Sequence, residues 1–177
     1  MSHPVTPAEI KQTIRNVPDF PQPGIQFKDI TPVLADARLF SGAIDLLTAP
    51  FSPGSIDVVV GIDARGFIFA AAAAKKLNAG FVPVRKKGKL PFTTIEQEYA
   101  LEYGSATVAM HTDALKPGAR VLLIDDLLAT GGTAAAASAL VNKLGGKILE
   151  AGFLIELTFL NGRNKLVGVP VRSLVAY

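Results

Sequence analysis

The sequence contains no cysteine and no tryptophan, only two histidines and two methionines, and its 177 residues carry a net charge of +3. Without cysteine there is no disulfide framework and no thiolate metal site, which fits a reducing compartment. His3 and His111 have no second ligand at metal spacing and read as surface residues. So small a charge, with no clustered basic face, gives no footprint for nucleic acid. The longest uncharged stretch, residues 127–142, falls short of a membrane span and is interrupted by Thr-Gly-Gly-Thr. The opening "MSHPVTPAEIKQTIRNVPDF" scatters its charges and lacks the apolar core of a secretory signal. A soluble, cytoplasmic protein with neither a nucleic-acid nor a membrane partner is expected.

What is present is core-forming material: hydrophobic residues make up 49% and charged residues 19%. A chain of this length buries about two-thirds of its unfolded surface as one domain, so a single domain over 1–177 is expected. Pro7 to Asn16 has helix spacing with Ile10 and Ile14 inward, and "VPDFPQPGIQFKDITPVL" is too proline-dense for regular structure. Arg38 to Leu47 again has helix spacing. From Asp57 the pattern changes to short β-branched runs, "DVVVGI", "FVPVR", "ARVLLIDD" and "KILEAGFLIEL". Alanine-rich helical segments, "ARGFIFAAAAAKKL" and Thr133 to Leu144, are interleaved with them, while "ALEYG" and "SATVAMH" alternate like a hairpin. Strand, helix, strand repeated is an α/β domain with a mainly parallel central sheet flanked by helices.

Ligands of such sheets bind beyond the carboxyl ends of the strands. Three segments fall there: Asp63-Ala64-Arg65-Gly66, Arg85-Lys86-Lys87-Gly88-Lys89, and Asp125 through Thr133. In the last, Thr130-Gly131-Gly132-Thr133 opens a helix, where unpaired N–H groups and the helix dipole favour an anion. A plain helix cap at either threonine is the alternative. No lysine precedes Thr133, so this is not a Walker loop, and no GxGxxG occurs. Asp125 and Asp126 leave the strand pointing to different sides, able to accept from two neighbouring hydroxyls or to help hold a metal–ligand complex. A phosphate cradle just after two hydroxyl acceptors describes a sugar phosphate.

"VLLIDDLLATGGT" resembles the phosphoribosyl pyrophosphate fingerprint of the type I phosphoribosyltransferase family. "PDFPQPGIQFKDITPVL", "GIDARGFIF", "VRKKGKLP", "LEYG" and "LIELTFLNGRNKL", in family order, narrow the resemblance to its adenine-using branch. The resemblance implies the type I phosphoribosyltransferase fold, with an N-terminal hood over about residues 1–35 and a mobile lid loop over about 86–100. It implies transfer of the 5-phosphoribosyl group from phosphoribosyl pyrophosphate to adenine N9, giving AMP and pyrophosphate. It also implies Mg²⁺ carried by the substrate rather than by direct protein ligands, and a homodimer.

By the same resemblance, Ala129, Thr130, Gly131, Gly132 and Thr133 would hold the 5′-phosphate, and Asp125 and Asp126 the ribose hydroxyls. Asp63, Ala64, Arg65, Arg85 and Lys89 would hold the pyrophosphate, with Arg85 acting across the dimer. Gln26, Phe27 and Lys28 would line the adenine pocket, Lys28 standing where many relatives carry arginine. Glu102 matches the family's acid near the base, a candidate donor to purine N7, and Tyr103 its lid tyrosine. Together with Glu102, the catalytic set is Arg65, Asp125 and Asp126. Phe92 departs from the small or polar residue usual at the lid tip. The other readings are ordinary surface charge for Lys86 and Lys87 and core packing for Phe27. At the level of function they are a 6-oxopurine or xanthine phosphoribosyltransferase, or a phosphoribosyl pyrophosphate sensor that binds DNA.

Overall fold

Proline placement governs the first part of the chain. A computed structural model describes residues 3–101 and 104–177, in two compact units, one ending at Leu46 and one running from Leu47 to Tyr177. In the first unit, α1 (Pro7–Thr13) begins at a capping box. Glu9 N–H donates to Thr6 Oγ1 at 3.3 Å, Thr6 N–H donates to Glu9 Oε2 at 2.8 Å, and a proline occupies the first turn. Ile10 and Ile14 are buried as expected, but the helix stops at Thr13 rather than reaching Asn16.

Arg15 and Asn16 instead begin strand β1 (Arg15–Pro18), antiparallel to β2 (Gln26–Asp29). The proline-dense segment expected to be irregular is therefore a hairpin followed by helix α2 (Thr31–Ala35). The prolines tolerate this because of where they fall. Pro18 is the last residue of β1, Pro21 and Pro23 lie in the connection, and Pro32 is in the first turn of α2. Helix α3 (Ala37–Thr48) follows, with Leu39 and Ala43 buried.

The second unit is built on continuous apolar strands. β3 (Val58–Ile62), β4 (Gly80–Lys86), β5 (Thr94–Ala100), β6 (Ser105–His111), β7 (Arg120–Leu128), β8 (Lys147–Glu156) and β9 (Val171–Ala176) form one sheet among the described residues, in the order β5-β6-β4-β3-β7-β8-β9. From β4 to β9 every neighbouring pair is parallel, and β5 and β6 add an antiparallel edge. Val59, Val60 and the run Val121 to Ile124 have no exposed surface, as strands covered on both faces require.

Helices α4 (Gly66–Leu77) and α5 (Gly132–Lys143) pack on this sheet through small residues. A Cβ at Gly61 of β3 would lie 2.7 Å from Cβ of Ala70 on α4, so the close approach of helix to strand requires glycine there. Two short 3₁₀ turns, Thr158–Leu160 and Gly162–Lys165, follow β8 and flank Asn161, whose φ of 52° is left-handed.

The edge hairpin differs from expectation. Its first strand is Thr94–Ala100, paired with β6 from Thr94↔His111 to Ala100↔Ser105, and not "ALEYG". Ile95, Gln97 and Tyr99 are half-buried while Glu96, Glu98 and Ala100 face water, a two-residue period hidden by the acidic residues. The expected lid loop 86–100 is therefore irregular only over residues 87–93, and its second half is strand. Among the described residues no helix is long and apolar enough to cross a membrane.

Candidate functional site

β4, β3 and β7 are consecutive in the sheet and parallel, so their carboxyl ends bring the three polar segments side by side. The acid pair lies inside β7 and not in the loop beyond it. Asp125 is opposite Phe153, and Leu127 and Leu128 remain paired with Ile155 and Glu156 of β8. The turn proper begins at Ala129. Gly131, with φ of 78°, caps α5 without any side-chain hydrogen bond, so neither Thr130 nor Thr133 performs the plain capping role. Thr133 Oγ1 instead donates to the Tyr99 hydroxyl of β5 at 3.1 Å.

Asp125 and the turn share one small cavity of about 80 Å³, lined by Asp125, Leu127 and Leu128 and by the segment Ala129 to Ala134. The Asp126 N–H donates to Asp125 Oδ1 at 2.8 Å, holding that carboxyl against its own backbone. A Cβ on Gly66 would lie 2.5 Å from the same oxygen and 3.1 Å from Asp125 Cα. The glycine that opens α4 is thus what admits β7's carboxylate. Loss of solvent pushes the Asp125 carboxyl well above the usual carboxylate range, and the neighbouring Asp126 charge pushes it further. The Asp126 amide and Arg65 oppose the shift only in part.

Two arginine–aspartate pairs tie the three segments together. Arg65 Nε donates to Asp126 Oδ2 at 2.5 Å, joining the turn after β3 to β7. Arg85 Nε donates to Asp63 Oδ2 at 3.0 Å and its Nη1 to the Lys89 carbonyl at 3.1 Å, joining the same turn to the basic segment after β4. The Asp63–Ala64 peptide is cis. Of the remaining lysines, Lys87 pairs with Glu96 of β5 at 2.7 Å, whereas Lys86 is exposed. Asp63, Ala64, Arg65, Arg85, Asp125, Asp126 and the segment 129–133 therefore converge, with Lys89 contributing its backbone.

Gln26, Phe27 and Lys28 lie on β2 of the first unit. Asn16 joins two of them, donating to Gln26 Oε1 at 2.7 Å and accepting from Lys28 Nζ at 3.0 Å. Phe27 meets Phe20 edge to face at 5.1 Å. Glu102 and Tyr103 lie outside the described residues. Sequence reasoning missed Tyr99, whose contact with Thr133 depends on the hairpin register, and it missed Gly162. A Cβ on Gly162 would lie 2.1 Å from the Ala129 carbonyl oxygen, and one on Gly131 would lie 2.1 Å from the Gly162 carbonyl oxygen. Only this mutual close approach of two backbones gives Gly162 its signal, and it is invisible in sequence.

Residues 28–165 match the phosphoribosyl transferase domain family, which sets the class, and the fold is that of the type I phosphoribosyltransferases. Adenine phosphoribosyltransferase of Acidothermus cellulolyticus is 56% identical over 162 residues, covering 92% of each chain. The crystal structure of adenine phosphoribosyltransferase from Rhodothermus marinus superposes with a TM-score of 0.92 at 54% identity, covering 97% of this chain and 98% of its own. That from Saccharomyces cerevisiae, complexed with an imino-altritol bisphosphate and adenine, gives 0.89 at 41% identity, with 95% and 97% covered. The chain belongs to the adenine phosphoribosyltransferase family.

Proposed function

We propose that the protein transfers the 5-phosphoribosyl group of phosphoribosyl pyrophosphate to adenine, forming AMP and pyrophosphate. The observation that carries the assignment is the single cavity shared by Asp125 and the Ala129–Thr133 turn. A hydroxyl acceptor and an anion-binding helix start facing one small space suit a ribose bearing a 5′-phosphate. Adenine as acceptor is supported by the names of the 56% and 54% identical relatives and by the adenine bound in the yeast enzyme.

In this reading Ala129, Thr130, Gly131, Gly132 and Thr133 hold the 5′-phosphate, and Asp125 and Asp126 accept from the 2′- and 3′-hydroxyls. N9 of adenine attacks the ribosyl carbon as that carbon's bond to the pyrophosphate oxygen breaks; pyrophosphate leaves with the electron pair, and the imidazole proton of the base is released to solvent. Positive charge developing on that carbon is favoured by fixed carboxylates nearby. Asp63, Ala64, Arg65, Arg85 and Lys89 bind the leaving pyrophosphate. Gln26, Phe27 and Lys28 line the base pocket as part of a hood, and Glu102 is the candidate acid toward N7, with Tyr103 on the lid. Residues 86–100 act as that lid, closing to keep water from the cation-like sugar. A hood and lid on a single catalytic domain, a homodimer in which Arg85 acts across the interface, and a cytoplasmic location complete the proposal.

Mg²⁺ takes hard oxygen ligands. Among the described residues no group of three or more His, Cys, Asp or Glu side chains is arranged to hold a metal ion. In this reading the ion would arrive on phosphoribosyl pyrophosphate, whose oxygens would supply hard ligands. When bound, it neutralises charge on the leaving group. The test is nucleotide formation from phosphoribosyl pyrophosphate, Mg²⁺ and each purine base separately.

A further inference from the structure

The phosphate turn is supported from behind by an ion pair between buried Glu156 and half-exposed Arg163, which touches no substrate in the reading above. Glu156, the last residue of β8, is 4% exposed. Its carboxylate accepts from Arg163 Nε at 2.7 Å, Arg163 Nη2 at 2.6 Å and Ser173 Oγ at 2.6 Å. Arg163 Nη1 also donates to the Val171 carbonyl at 3.0 Å. A two-pronged arginine–carboxylate pair fixes orientation as well as distance. Here it fixes the residue that directly follows Gly162, the glycine whose backbone presses on Ala129 and Gly131. On the other side Leu166, 4% exposed, anchors the same 3₁₀ turn in the core of the second unit.

We propose that Glu156 and Arg163 are positioning residues for the 5′-phosphate turn, acting through the backbone of Gly162. The turn has few side chains to aim it: three of its five residues are Ala129, Gly131 and Gly132, and of its two threonines Thr133 is tied to Tyr99 of β5. Its carbonyl at Ala129 and its N–H at Gly131 would lie 2.1 and 2.9 Å from a Cβ on Gly162, so any side chain there displaces the turn. The Glu156–Arg163 pair, rooted at the last residue of β8 and bonded to Val171 and Ser173 of β9, sets where that backbone stands.

The inference rests on the phosphate-turn reading, and the experiment separates the two. Gly162→Ala, Arg163→Lys and the control Val167→Ala, on the exposed end of the same segment, are compared with the wild type. The measurements are ribose 5-phosphate affinity by calorimetry and the steady-state constants for phosphoribosyl pyrophosphate and adenine. Expected is a loss of ribose 5-phosphate affinity of roughly ten- to a hundredfold for Gly162→Ala, in line with the cost of ångström-scale misplacement. Arg163→Lys should show a smaller loss of the same kind, and Val167→Ala none. KM for phosphoribosyl pyrophosphate should rise while KM for adenine stays unchanged. If Gly162→Ala does not fold, Arg163→Lys decides on the same criterion. Folded variants with wild-type ribose 5-phosphate affinity, or with equal rises in both KM values, would overturn the positioning role. Wild-type protein that binds no ribose 5-phosphate would overturn the phosphate-turn reading itself.

Discussion

Arg65 and Asp126, sixty-one residues apart in sequence, meet at 2.5 Å between Nε and Oδ2. The cation after β3 and the acid of β7 are therefore one unit, although the proposed mechanism gives them different parts of the substrate. Arg65→Ala should leave Asp126, 7% exposed, without its partner, and Asp126→Asn should loosen Arg65 in turn. Each is expected to lower kcat/KM by about two orders of magnitude, and the double variant by much less than the product of the two. A double-mutant cycle on purified enzyme measures this. Multiplicative losses would show that the pair works independently.

Asp125 carries a conflict between stability and function. Its carboxyl binds a proton more tightly in the folded protein than in the unfolded chain, because burial and Asp126 both raise its pKa. The folded state then holds more protons, so stability falls as pH rises from the unfolded value through the folded one. Asp125→Asn should raise the thermal midpoint of the ligand-free protein at pH 8 and change it little at pH 4. Turnover should fall by about 10²–10³-fold if the carboxylate faces developing positive charge. Thermal melts at the two pH values, alongside initial rates, check both halves.

Glu156 titrates in the opposite sense. Arg163 and then Ser173 hold its pKa below the usual range, against burial. Its contribution is complete above the unfolded pKa and is lost as pH falls through the folded one. Glu156→Gln should cost about 1–3 kcal/mol at pH 7, the scale of hydrogen bonds to a charged group, with the penalty shrinking toward low pH. Denaturant midpoints across pH 3 to 8 measure it, and a pH-independent penalty would rule out the ionic account.

The irregular part of the proposed lid, residues 87–93, has exposed lysines at Lys87 and Lys89 beside Lys86. Trypsin should cut the ligand-free protein there first, and phosphoribosyl pyrophosphate with Mg²⁺ should slow the cut. Identical digestion with and without ligand would remove the lid.

The parallel sheet was legible because "DVVVGI" and "VLLI" are continuous β-branched and leucine runs, which only doubly covered strands require. The acid pair and glycine turn were legible because local chemistry at a strand end is written in consecutive residues. The prolines of residues 18–32 concealed a hairpin, because whether each is tolerated depends on the register in which Arg15–Pro18 pairs with Gln26–Asp29. In "TIEQEYA" the glutamates masked a strand whose alternate residues Ile95 and Tyr99 pack on the core. Val171–Ala176 is too short and mixed to announce itself before β8 gives it a partner. The backing of the phosphate turn by Gly162, Arg163 and Glu156 is purely tertiary and leaves no local pattern.

The most direct test is an assay of purified protein with phosphoribosyl pyrophosphate, Mg²⁺ and, in separate reactions, adenine, hypoxanthine, guanine and xanthine. AMP from adenine, with no nucleotide from the other three bases, is the predicted result. Nucleotide from a 6-oxopurine in place of adenine, or from no base at all, would contradict it.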